Sequence, residues 1–572
     1  MVSCHCAHFI SFRSGFLLTI LLFFATVLYA APKITIVSPQ TGEVAGSPVF
    51  YEAYAVSSAC SKGIASIRVS SAPGVTAFTT QGDHLETFLT LQPGTHNTVV
   101  QTWDNCGQVS KTVVVVKVTA ATGVTVYLPS SKTAQSPVHV AASAQSSACS
   151  KGIAAMRLSA GPQANAYSIN ANQLDAYISL PVKSYTANVQ AWDKCGGVFK
   201  ASFPLTTSPA AEGYLYSSYG GGPDIGSDKN IARINVNADG VLHNPNGSGD
   251  PPKVLVPGAD SLAADPGGWF LYVSSSKGIY GFQINPVNGS LHPIKGSPFP
   301  APQGIVLAMD SSGNFLYSVS TVAASYRINR SSGALSATNK SISLPFGAVP
   351  FTVSGPYLYL LQSASPPRIA GYRLNANSGV LSAVPGSPYK SPSPGNLSLA
   401  AIAASGKYLF AGMDFSSSSE INGEIFTYTI NTATGALSLV PGSPLLPPRE
   451  NQQLSSLWAD VTGKFAWAWW QDTNGPNNEI ATYQVENDGS LVPTGFALQS
   501  PYAGAFNNLM EDQGGKHIFT HWQNSSEQGI AAWNITNGDL VLAGHLALQQ
   551  TFPAFASFAL QNQEALVRKH PN

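Results

Sequence analysis

Residues 279–291 read IYGFQINPVNGSL: an alternating apolar strand, a polar turn that ends at Gly289, and the start of a second strand. Six further stretches repeat the pattern: IARINVNADGVL at 231–242, AASYRINRSSGAL at 323–335, IAGYRLNANSGVL at 369–381, IFTYTINTATGAL at 425–437, IATYQVENDGSL at 480–491 and IAAWNITNGDL at 530–540. The turn glycines run from Gly240 to Gly538, so the mean period, (538 − 240)/6, is roughly 50 residues, a spacing typical of propeller repeats. Seven copies predict seven blades.

A second motif alternates with the first, clearest in DPGGWFLYVSS at Asp265, DSSGNFLYSVS at Asp310 and DVTGKFAWAWW at Asp460. Each is a tight Asp/Gly turn feeding an aromatic-rich strand, with glycine supplying the positive φ that such hairpins need. Numbered outward from the axis, the first and second strands of a blade are joined by the Asp-x-x-Gly turn, and the third and fourth by the Asn/Asp-Gly turn. Because neighbouring strands run antiparallel, both short turns fall on one face and the longer connections on the other. The repeat is 44 residues between Gly289 and Gly333 but 56 between Gly379 and Gly435, and the extra length falls mostly in connections such as Asp414 to Gly423. Variation confined to one rim marks that rim as the expected ligand-binding face. The ends are out of phase: Tyr214-Leu215-Tyr216 looks like a second strand with no first, and 553–560 is an orphan apolar strand after the seventh copy. Closure by one C-terminal strand joining three N-terminal ones is therefore predicted, which removes open sheet edges.

Upstream lies a repeat of a different kind. SSACSKGIASIRVSSAPG at Ser57 returns as SSACSKGIAAMRLSAGPQ at Ser146, and QTWDNCG at Gln101 as QAWDKCG at Gln190, at a constant offset of 89 residues. Alternating strands between Gly, Pro and Asp turns predict two small antiparallel sandwiches. The expected organisation is an export signal over 1–31, sandwiches over 32–118 and 119–207, a propeller over 208–561 and a tail over 562–572. Each sandwich carries two cysteines 46 residues apart, and the pairings Cys60 with Cys106 and Cys149 with Cys195 are expected to be structural disulfides. Two cysteines without a nearby histidine are too few ligands for a metal. Trp103 and Trp192 alternate with core-facing valines and should point off the core face, where they offer a route to carbohydrate adhesion.

Arg13, an apolar run from Phe16 to Leu28 and Tyr29-Ala30-Ala31 form the basic, greasy and small-residue order of a secretory signal. The expected location is secreted or periplasmic, with no membrane attachment after signal cleavage. Charged residues are 10% of the chain, Lys plus Arg balancing Asp plus Glu at 29 each, against roughly 25% in average soluble proteins. Such a chain has no basic field for nucleic acid.

The propeller part resembles the lactonase family of seven-bladed propellers, which includes the propeller type of 6-phosphogluconolactonase and the carboxymuconate cyclases. The resemblance rests on the FLYV-like strands after Asp-x-x-Gly, the Tyr-x-Ile-Asn-x-x-x-Gly-x-Leu hairpins, and the Gly-Ser-Pro endings at Gly296, Gly386 and Gly442. The modules before it resemble bacterial immunoglobulin-like domains through the AWD..G turn. An all-β architecture follows: two tandem Ig-like β-sandwiches, then a seven-bladed β-propeller closed by a C-terminal strand. The resemblance also implies lactone hydrolysis, yet the family's Pro-x-His before the Asp-x-x-Gly turn is replaced here by SLAADPGG, GIVLAMDSSG, LAAIAASG, SLWADVTG and NLMEDQGG, none with that histidine.

Lactone opening needs a group to activate water and a site for the developing oxyanion. Arg449, Glu450, Asp472 and His521 are the candidates for such chemistry; Arg368, Asp414 and Trp470 are the candidates for ligand contact. All seven belong to the long-connection rim. His517 and His521 are four strand steps apart, too far to share one ion, so no metal and no cofactor is expected. The expected partner is a small-molecule, carbohydrate or protein ligand on that rim, bound by an exported scaffold; an extracytoplasmic lactone hydrolase is the alternative.

Overall fold

The computed structural model describes residues 30–568 except for short internal stretches, the longest being 220–227, 391–396, 473–478, 500–505 and 549–563. Residues 1–29 of the expected signal and the stretch 553–560 lie outside the described residues. Among the described residues there is no helix.

From Gly213 onward the described strands form seven antiparallel sheets, each with a path of four consecutive strands except the first; the first and fourth sheets add a fifth strand, Lys253–Pro257 and Tyr389–Lys390. That first sheet runs Leu242–His243, Asp228–Val236, Gly213–Tyr219 and Glu564–Arg568, so a C-terminal strand is its innermost member. Ring closure is as expected, but the closing strand is not 553–560. It is Glu564–Arg568, inside the stretch expected to be a tail, with Leu566 opposite Leu215 and Val567 opposite Tyr214. Glu564 and Arg568 flank a short apolar Ala-Leu-Val segment, and those end charges disguise it as a solvated tail.

The blades lock through the two motifs read from the sequence. Gly379, at φ +70°, lies so close to Phe315 of the preceding blade that a Cβ there would stand 2.5 Å from the ring. The same contact joins Gly289 to Tyr214, Gly333 to Phe270, Gly435 to Tyr357, Gly489 to Tyr408 and Gly538 to Phe465. Two residues further along the strand, a second aromatic donates to the same glycine's carbonyl: Tyr216 to Gly289 at 2.6 Å, Tyr272 to Gly333 at 2.7 Å, Tyr359 to Gly435 at 2.8 Å and Trp467 Nε1 to Gly538 at 3.0 Å. The aromatic-x-aromatic spacing follows from strand alternation, which puts both rings on the face toward the next blade. At the seam between the last and first blades, His517 takes the ring's place against Gly240.

The segment Lys33–Ser208 forms two sandwiches of identical plan. In the first, a three-stranded sheet (Lys33–Ser38, Val49–Val56, His84–Leu89) faces a five-stranded sheet in which Glu43–Ala45 pairs in parallel with Val109–Val118. The second repeats this with Thr133–Gln135 parallel to Val198–Ser208. Each has its own core, Ile67, Val69, Val100 and Val116 in one and Met156, Leu158, Val189 and Leu205 in the other. Cys60 is bonded to Cys106 and Cys149 to Cys195, each pair with Cα atoms 5.8 Å apart. Beside each bridge an aspartate organises the turn: Asp104 Oδ1 accepts from Cys106 N at 2.9 Å and Gln108 N at 2.8 Å, as Asp193 does from Cys195 and Gly197. Trp103 and Trp192 are half-buried while their neighbours Thr102 and Ala191 are buried, so both indoles point away from the core.

Candidate functional site

Four of the rim candidates, Asp414, Arg449, Glu450 and Asp472, lie around the join of blades five and six. Blade five's second strand, Tyr408–Ser416, runs toward the long-connection face and delivers Asp414 to its end; blade six's first strand, Gln452–Ala459, starts there. Asp414 Oδ1 accepts the backbone N–H of Leu454 at 2.8 Å and so bridges the two blades. Burial raises the Asp414 carboxyl to about 7, against the smaller opposing effect of that hydrogen bond.

Arg449, 47% exposed, extends Nη2 to within 3.5 Å of Glu479 Oε2, a carboxylate almost wholly buried at the start of blade six's third strand. Gln452 Nε2 donates to the other oxygen of Glu479 at 3.0 Å, and Arg449 N donates to Gln452 Oε1 at 3.1 Å. Gln452 thus holds the Glu479 carboxylate and the Arg449 backbone, and the carboxylate pairs with a guanidinium whose outer face meets solvent. A half-exposed guanidinium is a fork for a carboxylate or a polarised carbonyl. The sequence reading missed Glu479 and Gln452. Glu479 opens an ordinary strand just after the connection, and its burial is a property of the fold.

Of the remaining candidates, Glu450 and Asp472 border this group, and Arg368, His521 and Trp470 do not join it. Glu450 is exposed beside Asn451, which has φ +61°. Asp472 ends the strand Phe465–Asp472 opposite Gln452 and is half-buried. His521 pairs with Asn507 and Ile530 in the last blade, the one next to blade six in the ring order. Arg368, half-buried, opens a strand of blade four opposite Gln362 and Lys390. Trp470 was expected to reach the connections; it is instead fully buried, its indole N–H donating to the Tyr483 hydroxyl at 2.9 Å. The alternation of FAWAWWQD places Trp470 among apolar residues of blades five and six, including Ile425 and Leu454.

A second polar cluster, which the sequence reading did not single out, lies where both sandwiches meet the short-turn face of the propeller. Ser331 Oγ donates to the Glu86 carbonyl at 2.6 Å, and Thr80 Oγ1 donates to the Ser331 carbonyl at 2.8 Å. Arg330, in the third blade's turn, reaches Glu86 Oε1 at 3.4 Å and pairs with Asp265. The second sandwich adds a bond from Asn170 N to Asn377 Oδ1 at 3.1 Å. The His84 ring stacks on Trp269 at 3.7 Å, and the His139 ring on Tyr177 at 4.1 Å.

His139 stands between two carboxylates, Nε2 at 2.7 Å from Asp175 and Nδ1 at 3.2 Å from Glu52. Burial alone would depress its pKa, but the charges of Glu52 and Asp175 push it up to about 10. Burial together with the Asp175 charge raises Glu86 well above the usual carboxylate range. The sandwich repeat explains part of the cluster: Glu86 and Asp175 are equivalent positions, 89 residues apart.

The chain is similar to several solved structures. A protein from Lactobacillus plantarum matches at 17% identity and TM-score 0.47, over 62% of this chain and 99% of its own. The Pseudomonas aeruginosa periplasmic gluconolactonase PpgL matches at 15% identity and TM-score 0.46, over 63% and 99%. A Bacteroides uniformis protein provisionally named a 6-phosphogluconolactonase matches at 18% identity and TM-score 0.40, over 51% and 84%. No protein-family model and no curated protein matches the chain.

Proposed function

We propose that this is an exported binding protein whose recognition surface is the long-connection rim of the propeller, with Arg449 as its anchor for a carboxylate or carbonyl of the ligand. The observation that carries this reading is the Arg449, Gln452 and Glu479 group, in which a buried acid pairs with a guanidinium whose other face is open. The sandwiches support it from the opposite side, since they dock on the short-turn face and leave this rim uncovered by them. Binding of the full chain to an array of neutral and carboxylated carbohydrates and small acids tests the proposal. A ligand whose affinity falls at least tenfold in Arg449→Ala is the expected result. Affinity unchanged in that variant, or retained in full by the fragment 32–207, would transfer recognition to another surface, the tryptophans Trp103 and Trp192 first.

A second reading, lactone hydrolysis, is favoured by Asp414: a buried carboxyl raised to about 7 is tuned as a general base working near neutral pH. Turnover of sugar lactones by the purified chain, abolished in Asp414→Asn and Arg449→Ala, would establish it. Turnover that survives both but fails in Glu450→Ala, Asp472→Ala or His521→Ala would move the chemistry to those residues.

A further inference from the structure

We propose that Glu52, His84 and Glu86 form a divalent-cation site that fastens the first sandwich to the propeller. The three side chains come from two paired strands, Val49–Val56 and His84–Leu89, in which Tyr54 lies opposite His84 and Glu52 opposite Glu86. Alternation sends His84 and Glu86 to the same face of their strand, and Glu52 beside them. His84 Nε2 lies 3.5 Å from Glu52 Oε1 and 3.8 Å from Glu86 Oε2. These separations are too long for hydrogen bonds, and close to the roughly 3.4 Å between donors arranged tetrahedrally around a cation at about 2.1 Å.

Neither His84 ring nitrogen has a hydrogen-bond partner, and neither does Glu86 Oε2, although the His84 ring is fully buried. A buried imidazole without a partner is costly, and its Nε2 is aimed between two carboxylates. Stacking on Trp269, with 9° between the planes, fixes the ring in that direction. Four acidic side chains, Glu52, Glu86, Asp175 and Asp265, meet at the junction beside Arg330, and a divalent cation is a group that oxygen donors placed together in this way can share. One imidazole with two carboxylates is a donor set suited to zinc. Because Glu86 also touches Arg330 and Ser331 of the third blade, a metal there would hold the carboxylate in the orientation that docking uses.

The test is elemental analysis of the purified full-length chain, with thermal unfolding before and after prolonged chelation and on readdition of zinc. The expected result is about one equivalent of bound metal and a melting midpoint that falls by several degrees on chelation and returns with zinc. Cobalt substitution should give visible absorption bands that are lost in His84→Ala, while Asp460→Asn, at the equivalent buried turn of blade six, keeps them. Wild-type protein that carries no metal and whose melting ignores both chelator and zinc would overturn the proposal, whatever the variants do.

Discussion

At the scale of single residues, burial sets the behaviour of Asp414. Its proton is held more tightly in the folded chain than in the unfolded one, so ionising it costs stability increasingly as pH rises from about 4 to about 7, and the cost is complete above that range. Asp414→Asn removes a titrating group while keeping an oxygen to accept the Leu454 N–H. Urea unfolding should find the variant more stable than wild type at pH 8 by on the order of 2–4 kcal/mol, with most of that difference gone at pH 4. A difference independent of pH would show that the carboxyl is not raised. Asp414 was legible in the sequence as a rim residue because it sits at a strand end before a long connection. Trp470 was read from the same logic and is buried, since one step along a strand reverses the direction of a side chain. Which face a residue takes depends on register, and WAWW alone does not reveal it.

Elements are joined by the contact between a turn glycine and the preceding blade's aromatic. At Gly379 both the positive φ and the Phe315 ring oppose a side chain, whereas Gly355, at φ +55°, has nothing within 4 Å of an added Cβ. Gly379→Ala should therefore cost about 2–4 kcal/mol, combining backbone strain and overpacking, and Gly355→Ala only about 1 kcal/mol. Denaturant midpoints of the two variants make the comparison; equal losses would mean that the ring yields freely. The closing strand offers a second check. Truncation before Glu564 leaves Gly213–Tyr219 as an unpaired inner edge, and size-exclusion chromatography should detect aggregation that the full chain does not show. The repeats themselves, the two short turns and the disulfide pairs were all readable, because each is a local pattern copied many times. The closing strand was not, because it is a single copy of five residues without its hairpin partner.

On the scale of the whole molecule, the sandwiches and the propeller share buried side chains, so their unfolding should be coupled. Trp269 is fully buried against His84 and Tyr54 of the first sandwich. Trp269→Ala should cost about 3–5 kcal/mol and split a single calorimetric transition into two, the lower one belonging to the part that has lost its neighbour. One undivided transition in the variant would mean that other contacts carry the coupling. This arrangement was not legible in the sequence, where the sandwiches and the propeller read as separate repeats. Glu52, His84, Glu86 and His139 are scattered through strands whose alternation looks ordinary, and their meeting with Arg330 depends on a docking geometry that no local pattern encodes.

The seam of the ring has a mechanical consequence. The sandwiches grip turns of the second, third and fourth blades, whereas the final strand latches the first blade and His517 abuts Gly240 on the far side. Tension applied through the amino-terminal modules would therefore enter the ring at three adjacent blades, and not at the strand that closes it.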